Sequence, residues 1–329
     1  MNSRDASPPA VLCLRPEADF TRVDAPAPDT LRVAYRKPDD GDVPGLLRQS
    51  DALVIPAVGP KLAPALFEGA RTRLVQVTGA GLDRLDRDAL VRLGIPVANV
   101  SGGSNEAVAD YAVTAASLLL RRLVWADSEI KNGNYAGFRA RMLADNLRGL
   151  DGLTVGIVGF GTIGRAVADA FHRRGCRICY FDPAPRETAG IAAEAMTLAD
   201  LLQTADVVSL HVPLLPETTG LIGEGELRLM KPGAVLIQAA RGGVVDEAAL
   251  AAHLAAGAIA GAAVDVFSTE PPPADHPLLR LEGDAARRLL LTPHIAGVTR
   301  QSWTSLFRRA WENVERVVLH SEPPRDRAY

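Results

Sequence analysis

The segment that most restricts the fold of this 329-residue chain is Leu153-Thr-Val-Gly-Ile-Val-Gly-Phe-Gly-Thr-Ile-Gly164. An apolar, β-rich run, Thr154–Val158, leads straight into Gly159-Phe-Gly161-Thr162-Ile163-Gly164, and amphipathic helical spacing follows over residues 163–174. The spacing GxGxxG is a weak signal alone and a specific one between a strand and a helix. Gly159 permits the tight turn, Gly161 lets the backbone approach a pyrophosphate, and Gly164 lets the helix pack closely on the strand. The helix start offers unpaired N–H groups and a positive dipole end to phosphates. Asp182 closes the next strand, Ile178-Cys-Tyr-Phe-Asp. A carboxylate there accepts the hydroxyls of an adenosine ribose and repels an added phosphate, so NAD is expected rather than NADP.

The rest of the chain alternates short apolar runs with helical spacing. Ahead of the glycine motif, strands are predicted at residues 11–14, 52–55, 74–77 and 95–99, with helices at 61–70 and 86–93. Beyond it, strands fall at 177–181, 206–210, 234–237, 259–266 and 289–291, with helices at 198–202, 224–230 and 246–256. Such alternation specifies parallel sheets covered on both faces. The length exceeds one hydrophobic core. The expected fold class is therefore α/β with two doubly wound parallel-sheet domains, the larger a Rossmann domain. Residues 105–125 read as one long, nearly uncharged and hence buried helix. Residues 131–148 read as an irregular polar loop or interface arm. Residues 267–288 form a Pro- and charge-rich loop, 300–320 a final amphipathic helix, and the tail after Ser321 is expected to fray.

Composition narrows the partners. With 47% hydrophobic and 23% charged residues the chain is ordinary globular protein. A net charge of -3 and no basic run argue against a nucleic-acid partner. Apolar stretches are broken before the roughly 18 residues that a membrane span needs. Residues 1–9 lack the apolar core of a secretory signal, so the cytoplasm is the expected location. Three cysteines fit a reducing compartment. Cys176 and Cys179 form a CxxC pair, but on a strand that spacing points them to opposite faces and no second pair exists, so core packing is expected.

Three charged residues follow three predicted strands: Arg241 after Val235-Leu-Ile-Gln-Ala-Ala, Glu270 after Ala263-Val-Asp-Val-Phe-Ser-Thr, and His294 after Leu290-Leu-Thr-Pro. Ligands of open parallel sheets bind beyond the carboxyl ends of the strands. Oxidation of a 2-hydroxy acid needs a base for the hydroxyl proton, which histidine provides near neutral pH. A carboxylate beside the imidazole fixes its tautomer, and a guanidinium holds a substrate carboxylate through two hydrogen bonds. The set implies hydride transfer between NAD and a small 2-hydroxy or 2-oxo acid.

These stretches, with Gly79-Ala-Gly-Leu-Asp-Arg-Leu-Asp86, His211-Val-Pro-Leu-Leu-Pro-Glu-Thr-Thr219, Lys231-Pro-Gly-Ala234, Ala240-Arg-Gly-Gly-Val-Val-Asp-Glu247, Val264-Asp-Val-Phe-Ser-Thr-Glu-Pro271 and Thr292-Pro-His-Ile-Ala296, resemble the D-isomer-specific 2-hydroxyacid dehydrogenase family. That family includes phosphoglycerate, glyoxylate/hydroxypyruvate and D-lactate dehydrogenases. The resemblance runs from about Asp51 to about Arg316. It implies a substrate-binding domain of residues 1–104 plus 297–329, interrupted by an NAD-binding domain of residues 105–296. It implies Arg241 as the substrate-orienting arginine, His294 as the acid/base and Glu270 as its partner. The amides of Ala80 and Gly81 would take the substrate carboxylate. Asp265 would contact the nicotinamide carboxamide, and Pro213, Thr218 and Ala239 would line the cofactor pocket. It also implies a homodimer formed through the arm at residues 126–150.

Gln238 stands where the family usually has Asn, Tyr135 where an arm tryptophan is common, and no regulatory extension is expected after the last helix. Two alternatives share the fold: a non-catalytic, NAD(H)-sensing corepressor-like scaffold, and a dehydrogenase of an oxyanion such as phosphite. The intact Arg241, Glu270 and His294 favour an enzyme over the scaffold. The small run Gly79-Ala80-Gly81, where the phosphite-type relative carries Lys, favours a 2-oxo acid. His211, at a strand end, reads as structural or pocket-lining, and His172, His253 and His320 as surface residues. His276 is a lesser candidate to approach substrate. Arg139 and Arg141 read as solvated charges, Arg300 and Trp303 as candidates for a substrate's distal group. No metal-ligand spacing occurs.

Overall fold

In a computed structural model, residues 7–184, 186–188 and 190–329 are described. Part of the polar N-terminus read above, residues 1–6, lies outside them. The chain divides into two compact units, one reaching to Ser104 and resuming at Val298–Tyr329, the other Asn105–Gly297.

The first unit carries β1 (Ala10–Cys13), α1 (Glu17–Thr21), β2 (Arg32–Tyr35), α2 (Val43–Arg48), β3 (Ala52–Ile55), β4 (Leu74–Val77), α3 (Arg87–Arg92) and β5 (Val97–Ala98). The strands lie in the order β2-β1-β3-β4-β5, every pairing parallel. β3 and β4 are buried along their whole length, which is why they read as unbroken apolar runs. β2 sits at the sheet edge with its side chains partly open, so it had no apolar run to announce it. The helix expected at 61–70 is only a turn of 3-10 helix at Pro64–Phe67. Pro64 denies the α conformation to the residue before it.

The second unit begins with α4 (Asn105–Leu120), α5 (Leu123–Lys131) and α6 (Tyr135–Ala144). The long helix expected over 105–125 thus breaks at Arg122, whose φ is 52°. The expected irregular arm holds a helix instead. Phe138 is buried against Trp125 at 5.4 Å, and the Arg141 guanidinium lies 4.4 Å from the Trp125 ring centre. Burial of two aromatic rings outweighs the polar local sequence.

Then come β6 (Thr154–Val158), α7 (Thr162–His172), β7 (Arg177–Phe181), β8 (Ala193–Ala195), α8 (Leu198–Thr204), β9 (Val207–Leu210), α9 (Glu224–Leu229), β10 (Val235–Gln238), α10 (Glu247–Ala255), β11 (Gly261–Val264), α11 (Gly283–Arg287) and β12 (Leu289–Leu291). The sheet order is β12-β11-β10-β9-β6-β7-β8, again wholly parallel. Strand order reverses between β6 and β9, so the loops after those two strands flank the switch point where such sheets bind ligands. Apolar cores cover both faces. One joins α4 and α7 to Val155 and Ile157, the other joins α8, α9 and α10 to Val158, Val208 and Leu236. Cys176 belongs to the first core and Cys179 to the second.

The chain returns to the first unit in α12 (Arg300–Val318), whose Phe307, Trp311 and Val314 pack on β1, β3 and β5 residues. The tail beyond it does not fray. Val97 N–H donates to the Tyr329 carbonyl, Ala328 N–H to the Val97 carbonyl and Asn99 N–H to the Asp326 carbonyl. Pairing with the bare edge of β5 satisfies backbone groups that the short strand leaves open. Among the described residues no helix is long and apolar enough to cross a membrane.

Candidate active site

The glycine turn is built by close approach. Gly159 adopts φ 91°, and a side chain there would meet the His211 carbonyl oxygen at 2.7 Å. A Cβ on Gly164 would fall 2.0 Å from the Gly159 carbonyl oxygen, so only glycine lets α7 start so near β6. A Cβ on Gly161, at the N-cap of α7, would meet nothing within 4 Å. That side is open at the N-terminus of α7, where a helix leaves backbone N–H groups unpaired. Thr162 is exposed and Ile163 half-buried beside it.

Asp182 stands at the end of β7. Burial opposes its charge, yet the N–H groups of Ala184 and Phe160 and the Arg186 guanidinium outweigh that, holding its carboxyl below the usual carboxylate range. His211 follows β9, its Nε2 2.8 Å from Ser209 Oγ and its Nδ1 enclosed without a hydrogen-bond partner among the described residues. Burial of the ring pushes its pKa down to about 3, so it is neutral near pH 7 even though part of the residue reaches solvent. Thr218 closes the loop after it, donating to the Pro213 carbonyl at 2.6 Å and accepting from Leu215 N–H at 2.8 Å.

Three loops carry the charged residues. His294 Nδ1 lies 2.9 Å from Glu270 Oε2 and 3.1 Å from Oε1. Both side chains are about a quarter exposed. Phe267 N–H donates to Glu270 Oε1 at 3.0 Å. The Arg241 loop leans on the same segment, since a Cβ on Gly242 would lie 1.8 Å from the Phe267 carbonyl oxygen. Gln238 Nε2 donates to the Arg241 carbonyl at 2.8 Å, and Gln238 Oε1 accepts from Ala240 N–H at 3.3 Å, bracketing the half-buried Ala239.

His294 sits in a left-handed conformation, φ 56°. Asp265, 1% exposed, holds it there from below. Its Oδ1 accepts from Ile295 N–H at 2.8 Å and Thr292 Oγ1 at 2.5 Å, and its Oδ2 from Ala296 N–H at 2.8 Å. Thr292 has one hydroxyl proton and gives it to the carboxylate, so Tyr111, 2.8 Å away, must donate to Thr292. Burial pushes the Tyr111 phenol up to about 12, which keeps that proton in place. Tyr111 and Thr292 went unread in the sequence. Their one local signal was a lone phenol in an apolar helix, a group that needs a partner when buried.

In the first unit, Val100 N–H donates to the Gly79 carbonyl at 3.0 Å and Asn99 Nδ2 to the Ala80 carbonyl at 2.8 Å. Planar peptides then turn the N–H groups of Ala80 and Gly81 to the opposite side. Arg84 is buried and ties the adjacent segment, donating to the Pro56 carbonyl at 3.0 Å and the Pro60 carbonyl at 2.9 Å.

His253, read as a surface residue, is buried under the turn at Pro277–Arg280 and bonds the Ala249 carbonyl at 2.9 Å. His276 is 5% exposed and bonds Glu247 Oε2 at 2.9 Å. Arg141 is exposed, as read from the sequence, and pairs at the surface with Asp284 at 2.7 Å. Arg300 pairs with Asp24 at 2.6 Å, and Trp303 packs in the core under the Arg15 guanidinium. His172 and His320 are exposed. Among the described residues no group of three or more His, Cys, Asp or Glu is placed to hold a metal.

The profile of the D-isomer specific 2-hydroxyacid dehydrogenase NAD-binding domain matches residues 113–296. A glyoxylate reductase of Aeropyrum pernix is 35% identical over 297 residues, 88% of this chain and 86% of that protein. A D-3-phosphoglycerate dehydrogenase of Archaeoglobus fulgidus is 34% identical over 254 residues; the match takes in 77% of this chain but only 46% of that longer protein. The crystal structure of a D-lactate dehydrogenase of Aquifex aeolicus, complexed with NAD and lactic acid, superposes with a TM-score of 0.81 at 27% identity, covering 94% of this chain and 96% of that one.

Proposed function

The chain belongs to the D-isomer-specific 2-hydroxyacid dehydrogenase family, NAD-dependent oxidoreductases of CH–OH donors, and from that premise we propose that His294, Glu270 and Arg241 carry its chemistry. The observation that carries the reading is the pair of bonds from His294 Nδ1 to the Glu270 carboxylate. They leave Nε2 as the proton-transfer atom. In oxidation Nε2 takes the hydroxyl proton as the C2–H bond gives up its hydride; in reduction it returns the proton to the oxo oxygen. Glu270 fixes the tautomer and stabilises the imidazolium. Arg241 holds the substrate carboxylate and polarises the oxo group. The amides of Ala80 and Gly81 are assigned as substrate-carboxylate donors by the family resemblance.

NAD fits the residues present: the open side of Gly161 at the start of α7, and the carboxylate of Asp182 at the next strand end. Bound there, nicotinamide accepts or delivers the hydride. His211, Pro213, Thr218, Ala239 and Asp265 are assigned to its pocket. Asp265 reaches that role with its carboxylate already engaged by the His294 loop, and its Oδ2 retains acceptor capacity.

The favoured substrates are small 2-oxo acids of the glyoxylate and hydroxypyruvate type. This rests on the likeness to glyoxylate reductase across most of both chains. Following NADH oxidation with glyoxylate, hydroxypyruvate, pyruvate, phenylpyruvate and phosphohydroxypyruvate tests it. Glyoxylate and hydroxypyruvate should give the highest kcat/KM. No turnover with any of them would remove the assignment.

A homodimer is proposed through α5 and α6, which expose Val124, Ile130, Tyr135 and Leu143. Light scattering on the purified protein decides it. A cytoplasmic location is proposed from Cys13, Cys176 and Cys179, all free and buried.

A further inference from the structure

The carboxylate at the end of β7 does not stand alone. The Asp182 side chain is only 6% exposed, and its Oδ2 lies 3.1 Å from Arg186 Nε. The same Oδ2 accepts from Phe160 N–H at 2.9 Å, and Oδ1 accepts from Ala184 N–H at 3.0 Å. Phe160 is the residue between the first two glycines of the cofactor turn. Its ring stacks on Tyr180, centroids 4.0 Å apart and planes 20° from parallel. The Tyr180 hydroxyl in turn donates to the Arg186 carbonyl at 3.4 Å. Glycine turn, strand end and Arg186 therefore close into one ring of contacts, with the backbone of Arg186 tied to a buried aromatic pair.

This arrangement changes what the strand-end position offers a ribose. A lone carboxylate accepts the 2′- and 3′-hydroxyls and repels a 2′-phosphate. Here a guanidinium in ion-pair contact balances the carboxylate charge. Its Nε lies against Asp182, and neither Nη group makes a hydrogen bond among the described residues. The Arg186 side chain is 42% exposed, so its pairing with Asp182 is weak enough to be traded for another anion. Planar Nη donors are also suited to bidentate contact with phosphate.

We propose that Arg186 makes the cofactor site bispecific, Asp182 taking the ribose hydroxyls of NAD and Arg186 the 2′-phosphate of NADP. The inference rests on the assignment of dinucleotide to this glycine turn. It overrides the simple expectation that an aspartate at this position excludes NADP. It also identifies Arg186, rather than Asp182, as the residue to change. Asp182 fastens the Phe160 amide, so removing it disturbs the glycine turn for either dinucleotide.

The test is direct binding on the full chain, by calorimetry with NADH, NADPH, ADP and adenosine 2′,5′-bisphosphate, with kcat/KM for both dinucleotides alongside. The wild-type protein should bind NADPH within about 100-fold of NADH. Arg186→Ala should weaken NADPH and adenosine 2′,5′-bisphosphate by about 10–100-fold, the range of a charge-assisted contact, and NADH and ADP by no more than about threefold. Arg186→Lys, which keeps the charge and loses the fork, should fall between. NADPH affinity should also drop more steeply with salt than NADH affinity. Normal NADH binding with no measurable NADPH binding would overturn the proposal. So would equal weakening of both dinucleotides by Arg186→Ala, because that is the signature of a loop support. Failure to bind either dinucleotide would overturn the cofactor assignment itself, and this proposal with it.

Discussion

His294 Nδ1 lies 2.9 Å from Glu270 Oε2, although the two residues approach from separate loops, after β12 and β11. Sequence neighbours cannot make this pair. Both loops must leave adjacent parallel strands at the same end of the sheet, as the register of β11 against β12 arranges.

Replacing His294 by Ala removes the proposed proton-transfer atom and leaves the glycine turn intact. Turnover should fall by about 10²–10⁴-fold, while NADH binding, read by fluorescence titration, stays near wild type. A variant with undiminished kcat would take His294 out of the mechanism.

Thr292→Val cuts the relay from Tyr111 to Asp265, leaving a half-buried phenol without its acceptor and a buried carboxylate short of one donor. The cost in urea unfolding should be about 1–3 kcal/mol, with a several-fold loss in kcat as the His294 loop loosens. Tyr111→Phe should cost less. The double variant should be less destabilised than the sum, since the side chains form one chain of bonds. Strict additivity would show that the relay does not act as a unit.

Gly242→Ala places a methyl group 1.8 Å from the Phe267 carbonyl oxygen and 2.6 Å from Ser268 N, against backbone that cannot turn aside. Unfolding free energy should drop by more than about 3 kcal/mol, or activity should vanish as the Arg241 and Glu270 loops part. Gly225→Ala in α9, with nothing within 4 Å, is the matched control and should gain about 0.5–1 kcal/mol. Indistinguishable melting of the two variants would refute the close approach.

Asp206 gives the acid dependence a sign. Burial opposes its charge, but Thr154 N–H, Arg148 at 2.9 Å and Lys231 at 3.2 Å together hold its carboxyl below the usual range. A carboxylate with a depressed folded pKa contributes its full stabilisation above the unfolded value of about 3.9 and loses it as pH falls through the lower folded value. The gap in melting temperature between wild type and Asp206→Asn should therefore be constant from neutral pH to about 5 and shrink below about 4. A gap independent of pH throughout would show that Asp206 is not held ionised by these partners.

The cofactor turn was legible because its constraints are local. Gly159, Gly161 and Gly164 answer to the geometry of one strand, one turn and one helix, and the apolar run 154–158 supplies the strand. The buried strands β3, β4, β6, β9 and β10 were legible for the same reason, as unbroken apolar stretches. Half-exposed edge strands were not: β2 and β8 gain their conformation from a neighbour's backbone. Family resemblance, rather than periodicity, supplied the roles of Ala80, Gly81 and Asp265.

The sequence by itself determined a parallel α/β fold with a dinucleotide-binding turn, because strand, helix and glycine signals act over a few residues. The tertiary structure alone decided that Glu270 meets His294, that Asp265, Thr292 and Tyr111 underpin the histidine loop, that the C-terminal tail docks on β5, and that Arg186 covers Asp182. Each of these joins side chains or backbone groups whose partners are chosen by strand order and burial. The free energy of such a contact depends on which groups the fold brings together and shields from water, and that is not written in any one stretch of chain.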